Sequence, residues 1–175
     1  PHMTTSLYSL SVESYLQTLG ALDRVMTKGA THYSDNGKNP DDILSLRMVD
    51  NMMNFKFQVL SVIGQSVGTI ESLRSGVFSP PGKSDPTTYA ELHAKVQAAH
   101  AELKAIEADD VNSMAGADVV FELGETKIPF VAEDFVLSFS LPNLYFHAAT
   151  AYDLLRKEGV PLGKRDFLGS LKIKR

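Results

Sequence analysis

Apolar residues recur at helical spacing along most of the chain. Val12, Tyr15, Leu16, Leu19, Leu22 and Met26 predict a first helix over about residues 12–28. The turn cluster "SDNGKNPDD" ends it. Pro40 opens a second helix, with Asn39 as N-cap and Asp41 and Asp42 in the first turn, where the helix dipole favours carboxylates. A break is expected near "VDNMMN", after which that helix resumes to about Arg74. The Pro- and Gly-rich "SGVFSPPGKSDPT" reads as a loop. Leu92, Val96, Ala99, Leu103 and Ile106 place a third helix over about residues 88–107. In "VVFELGETKIPF" two β-like runs flank Gly124, with Pro129 at an edge or an end. The last helix covers about residues 132–157, with Gly159 as its stop, Pro161 beyond, and Pro142 expected to bend or split it. The expected fold is therefore all-α: an up-down bundle of four long antiparallel helices, with a β-hairpin inserted before the last.

Polar residues interrupt this pattern on two helices. On the last helix, Ser140, Asn143, His147 and Thr150 form one stripe at spacings of three, four and three. No Asp, Glu, Lys or Arg lies between Phe135 and Tyr152. A helix apolar nearly all round is a buried one, so its polar stripe faces something other than bulk water. On the second helix, Asn51, Asn54, Gln58, Ser61 and Gln65 form a similar stripe, and Lys56 is the sole charge from Met52 to Ile70. Two such stripes can line a shared cavity, a normal place for a ligand in a bundle. The plainer alternative is that these groups only bond one another, a trapped water or solvent. On the cavity reading, Ser140, Asn143, Thr150, Asn54, Gln58 and Gln65 contact a ligand. His147 is then the general acid–base, with Tyr145 and Tyr152 orienting substrate or donating to a developing oxyanion.

Composition narrows the chemistry. The 175 residues are 43% hydrophobic and 22% charged, with a net charge of −4, an ordinary balance for a single domain. That charge disfavours nucleic acid as a partner. Without cysteine there is no disulfide, thiolate nucleophile or Cys-ligated zinc. No metal is expected either, because Asn143, Leu144, Thr150 and Ala151, three or four residues from His147, are not usual transition-metal ligands. His93 and His100 are seven apart, about 10 Å along a helix, too far to clasp one ion. G-x-S-x-G, phosphate-loop and dinucleotide motifs are absent, and no cofactor is expected. Pro1-His2 reads as an expression scar ahead of a single domain over residues 3–175. No apolar run suggests a leader or a membrane span, so a cytoplasmic protein with no membrane partner is expected. The basic "LKIKR" reads as a solvated tail.

The segment "LPNLYFHAATAYDLLRKEGVPLGKRDFLG", residues 141–169, closely resembles the closing part of the domain of unknown function 1993 family. The resemblance extends through "SLYSLSVESYLQTL", "LSLRMVDNMMNFKFQV" and the hairpin before "EDFVLSF". "NGKNPDDILSLR" looks most like the fungal branch. The family is similar to the DinB and YfiT-like four-helix bundles, many of which bind metal through three histidines, some acting as thiol transferases or hydrolases. That metal pattern carries over poorly: of its histidines only His147 matches, with Ala151 four residues on and Gln65 on the second helix. Asp50-Asn51-Met52 also stands where the family is expected to read Pro-Asp-Met. The resemblance implies a fold, and fold does not fix function.

Three functions stay open on the sequence. One is a metal-independent isomerase, dehydratase or cyclase of secondary metabolism, acting on a small, largely apolar molecule through His147. Another is a non-catalytic binding or interaction protein in which His147 is structural. The third is a DinB-like metalloenzyme with an altered site. A homodimer is expected, since small bundles often bury an apolar face in a symmetric pair. In "GKRDFLG", Asp166 is expected to pair or cap locally while Phe167 and Leu168 dock the tail.

Overall fold

The computed structural model describes residues 5–80 and 86–174; the Pro1-His2 pair and part of the "SPPGKSDPT" loop lie outside them. A π-helical turn, Ser9–Glu13, leads into α1, Ser14–Asp35. Its apolar period buries Tyr15, Leu19, Leu22 and Met26 as expected, and continues to Tyr33, past the expected end.

The helix expected from Pro40 onward is corrected. Asn39 does cap it, accepting from the Asp41 N–H at 3.0 Å, but Pro40–Ser45 is only a short 3₁₀ turn. Helix α2, Phe55–Ser75, starts afresh because Asn54 supplies a second N-cap, its side-chain oxygen accepting from the Phe57 N–H at 3.0 Å. Gly76, at φ +78°, ends it in the left-handed conformation that glycine adopts without strain. Strand β1, Val77–Phe78, follows. Helix α3, Tyr89–Lys104, opens on a capping box of Thr88 and Glu91, and α4 is the short Ala108–Asn112.

Strands β2, Asp118–Leu123, and β3, Thr126–Val131, are the expected hairpin, with Gly124 at φ +59° in its two-residue turn. The sequence pattern missed β1, which pairs parallel to β2 through Val77 with Val120 and Phe78 with Phe121. A three-stranded sheet in the order β1-β2-β3 therefore qualifies the all-α expectation. The last long helix is α5, Ala132–Asp134, then a π-helical stretch Phe135–Ser140, then α6, Leu141–Lys157. Pro142 does not split it. The helix changes from π to α just before this proline, which falls in the first turn of α6. Helix α7, Lys164–Leu168, follows Gly159.

Side-chain bonds fix the helix directions. Tyr15 meets Ser140 and Tyr33 meets Glu158, both 125 residues apart, so α1 and α6 run parallel. Gln58 faces His147 while Gln65 meets Ser140, so α2 runs against α6. Tyr89 reaches Met26 and His93 reaches Asp23, so α3 runs against α1. Helices α2 and α3 are therefore parallel to each other, and the Phe55 and Tyr89 rings at their starts stack at 6.1 Å. This corrects the up-down expectation. Residues 76–88 join the end of α2 to the start of α3, and a chain of that length at full extension reaches about 40 Å, more than the length of α2. The core between these helices holds Tyr15, Leu19, Met26, Phe55, Leu92, Leu103, Leu144 and Leu155, each essentially without exposure.

The tail docks as expected. Asp166 accepts from Lys28 and from the Gly163 N–H, both at 2.8 Å, and Phe167 packs edge-on against Tyr152. Among the described residues no helix is long and apolar enough to cross a membrane.

Candidate functional site

A groove of about 920 Å³ runs over one side of α2, walled by α3 and α6 and floored at one end by phenylalanines of the sheet. Small residues make the room, with Gly64 and Gly68 on α2 and Ala98 and Ala99 on α3. A Cβ on Gly68 would sit in ordinary van der Waals contact with the Phe78 ring, at 3.9 Å. Phe78, Phe121 and Phe139 form an aromatic cluster with ring centroids 5.1–6.0 Å apart. The charged side chains lining the groove are Lys56, Lys95 and Glu102.

His147 lines the end near the start of α2. Its ring is half-buried and sits edge-on to Phe57 at 5.9 Å and Phe146 at 5.1 Å. Nδ1 lies 2.7 Å from Gln58 Oε1. The orientation of the Gln58 amide is settled by its other end, since Nε2 donates to the Met53 carbonyl at 3.0 Å. Oε1 can only accept, so the imidazole must donate from Nδ1. In the neutral ring Nε2 is then bare and basic, and among the described residues it has no hydrogen-bond partner. Burial pushes the histidine's pKa below its ordinary value, favouring that neutral form.

The sequence stripes divide on inspection. Asn54, Ser61, Gln65 and His147 line the groove, and Gln58 stands behind His147 as its anchor. Asn54 Oδ1 is committed to its cap, which leaves its amide N–H groups to donate to a ligand. Gln65 is 8% exposed, and its Oε1 is enclosed with no hydrogen-bond partner.

Ser140 turns the other way, into the core. Its hydroxyl donates to the Gln65 carbonyl at 2.7 Å, while Tyr15 lies at 2.6 Å and Thr69 at 2.9 Å. Because Ser140 spends its only proton on Gln65, Tyr15 is the donor to Ser140. Burial keeps the Tyr15 phenol well above its usual pKa and hence neutral. Asn143 and Thr150 bond back to carbonyls four residues earlier on their own helix, Phe139 and Phe146, each at 2.7 Å. Neither of these two nor Ser140 lines the groove.

The two tyrosines are not brought to His147 either. Tyr145 is 44% exposed and does not line the groove. Tyr152 lines a separate small crevice with Thr18, Leu22 and Phe167. On a helical wheel they lie about 160° and 140° away from His147, which is why the ring and the phenols diverge. Phe57 and Phe139 are groove residues that the sequence reading passed over. Phe57, 40% exposed on the polar side of α2, was the available signal.

The family model described as "Domain of unknown function (DUF1993)" matches residues 7–168. The chain belongs to the DUF1993 family. No curated protein matches it. Among solved structures, a DinB family member protein from Shewanella denitrificans is similar, with TM-score 0.81 and 24% identity over 97% of this chain and 95% of that one. At that identity the likeness concerns the fold. In this DUF1993 chain the donor set around His147 does not suit a transition metal. Nδ1 is held by Gln58, the nearest rings are phenylalanines, and Ala151, one turn on, is buried. Among the described residues no three His, Cys, Asp or Glu side chains group to hold an ion.

Proposed function

We propose that this DUF1993 protein binds a small, largely apolar molecule in the α2 groove and isomerises, dehydrates or cyclises it, with His147 as general base and then acid. The observation that carries this reading is the Gln58–His147 pair at 2.7 Å, which holds Nδ1–H and leaves Nε2 as a neutral base in an apolar groove. Nε2 takes a proton from a carbon next to a carbonyl, and the electron pair moves onto the carbonyl oxygen. The ring becomes an imidazolium whose Nδ1–H is still held by Gln58. The amide N–H of Asn54, a groove residue whose Oδ1 is taken by its cap, donates to the new oxyanion. Returning the proton to a different carbon isomerises the molecule, and giving it to a departing hydroxyl dehydrates it.

The test uses β-tetralone, an uncharged apolar ketone with an acidic C–H. The protein is expected to speed deuterium exchange at that carbon, and His147→Gln to lose at least about a hundredfold of the enhancement while still binding. Binding with equal exchange rates would leave the non-catalytic binding role in its place.

A cytoplasmic setting and fungal origin belong to the same proposal, supported by the absence of cysteine and by "NGKNPDDILSLR". So does a homodimer, supported by exposed apolar residues such as Leu123, Ile128 and Leu137. Light scattering that reads 19.1 kDa at every concentration would remove the dimer.

A further inference from the structure

The unpartnered Gln65 amide is the least explained group in the groove. Buried polar atoms are nearly always paired, and one left unpaired costs stability. Its neighbours on both helices, Ser66 and Thr69 on α2 and Ser140 before α6, all have partners. Gln65 differs from them in lining the groove. It lies seven residues, about 10 Å, further along α2 than Gln58, the anchor of His147. Beyond it lies the Phe78, Phe121 and Phe139 cluster.

We infer that Gln65 is the specificity determinant of the groove, recognising a ligand hydroxyl or N–H placed about 10 Å from the atom that faces His147, with an aromatic or other flat apolar end against the phenylalanines. This rests on the groove reading above and adds the class of ligand, an uncharged, elongated, mostly apolar molecule with one hydrogen-bond donor near its middle. A donor-bearing ligand gives Oε1 the partner it lacks. A ligand of the same shape without a donor leaves that enclosed oxygen unpaired, so it binds less tightly.

The probes are para-phenylphenol and its methyl ether, which share a biphenyl skeleton and differ in the donor. Titration calorimetry or ligand-observed NMR on the intact protein is expected to show the phenol binding at least about tenfold more tightly. Gln65→Met keeps the volume and removes the amide, so the preference should fall to within about twofold while the melting temperature holds or rises. Gln65→Leu should do the same, which guards against a packing defect peculiar to one variant. A phenol preference that survives both substitutions overturns the role of Gln65 and leaves the groove standing. Equal binding of the two probes by the unaltered protein does likewise. Binding of neither probe overturns the groove and this inference together.

Discussion

Seven residues apart on one helix, Ser140 and His147 meet α2 in opposite ways. At Ser140 the seam is closed. Tyr15, Thr69 and the Gln65 carbonyl surround the hydroxyl within 2.6–2.9 Å, and the residue has no exposure. At His147 the seam is half-open. One ring nitrogen is held by Gln58, the other is not, and the flanking Phe57 and Phe146 are 40% and 63% exposed. A complete network in a low-dielectric core rigidifies the fold and has no valence left for a ligand. An incomplete one at a groove has a valence to offer. Polar residues of similar spacing on one helix thus hold the fold together at one end and present chemistry at the other.

Substitution should separate the two ends. Ser140→Ala leaves the Tyr15 hydroxyl without its acceptor inside the core, while the Gln65 carbonyl keeps Thr69, and is expected to cost about 1–3 kcal/mol in denaturant unfolding. His147→Gln, at a half-exposed groove wall, is expected to change stability at neutral pH by less than about 0.5 kcal/mol. Equal losses at both positions would erase the distinction.

Acid gives a smaller, signed effect. Burial depresses the pKa of His147, so the unfolded chain binds its proton more readily than the folded one. The stabilisation is present above the ordinary histidine value of about 6.5 and is lost as pH falls through the lower folded value. Unfolding of the native protein should therefore weaken between about pH 7 and 5 by more than that of His147→Gln, which has nothing to titrate there. Parallel pH profiles would show that burial does not disfavour the imidazolium.

Much of the fold was legible in the sequence, for local reasons. The period of Tyr15, Leu19, Leu22 and Met26 marks α1, Asn39 and Gly159 mark ends, and the alternation around Gly124 marks the hairpin. Periodicity carries no direction, so the parallel α2 and α3 could not be read from it. Nor could β1, whose two residues gain meaning only by pairing with β2. For the site, a helical stripe says which side chains share a face and not where their hydrogen bonds go. Asn143 and Thr150 satisfy themselves on their own backbone, Ser140 turns into the core, and only His147 of that stripe lines the groove. Asn54 and Gln65 were legible as groove residues because α2 carries almost no charge there, and the aromatic floor was not, because it is assembled from Phe78, Phe121 and Phe139 on three separate elements.

The central claim is that His147 is a neutral imidazole protonated on Nδ1, with Nε2 free to act as a base. Long-range proton–nitrogen NMR of the labelled protein at pH 7 reads both ring nitrogens directly. The Gln58 bond requires Nδ1 to carry the proton and Nε2 to show the shift of a bare imidazole nitrogen, with protonation occurring only below the ordinary histidine range. A ring protonated on Nε2 alone, or one already cationic at pH 7, would contradict it.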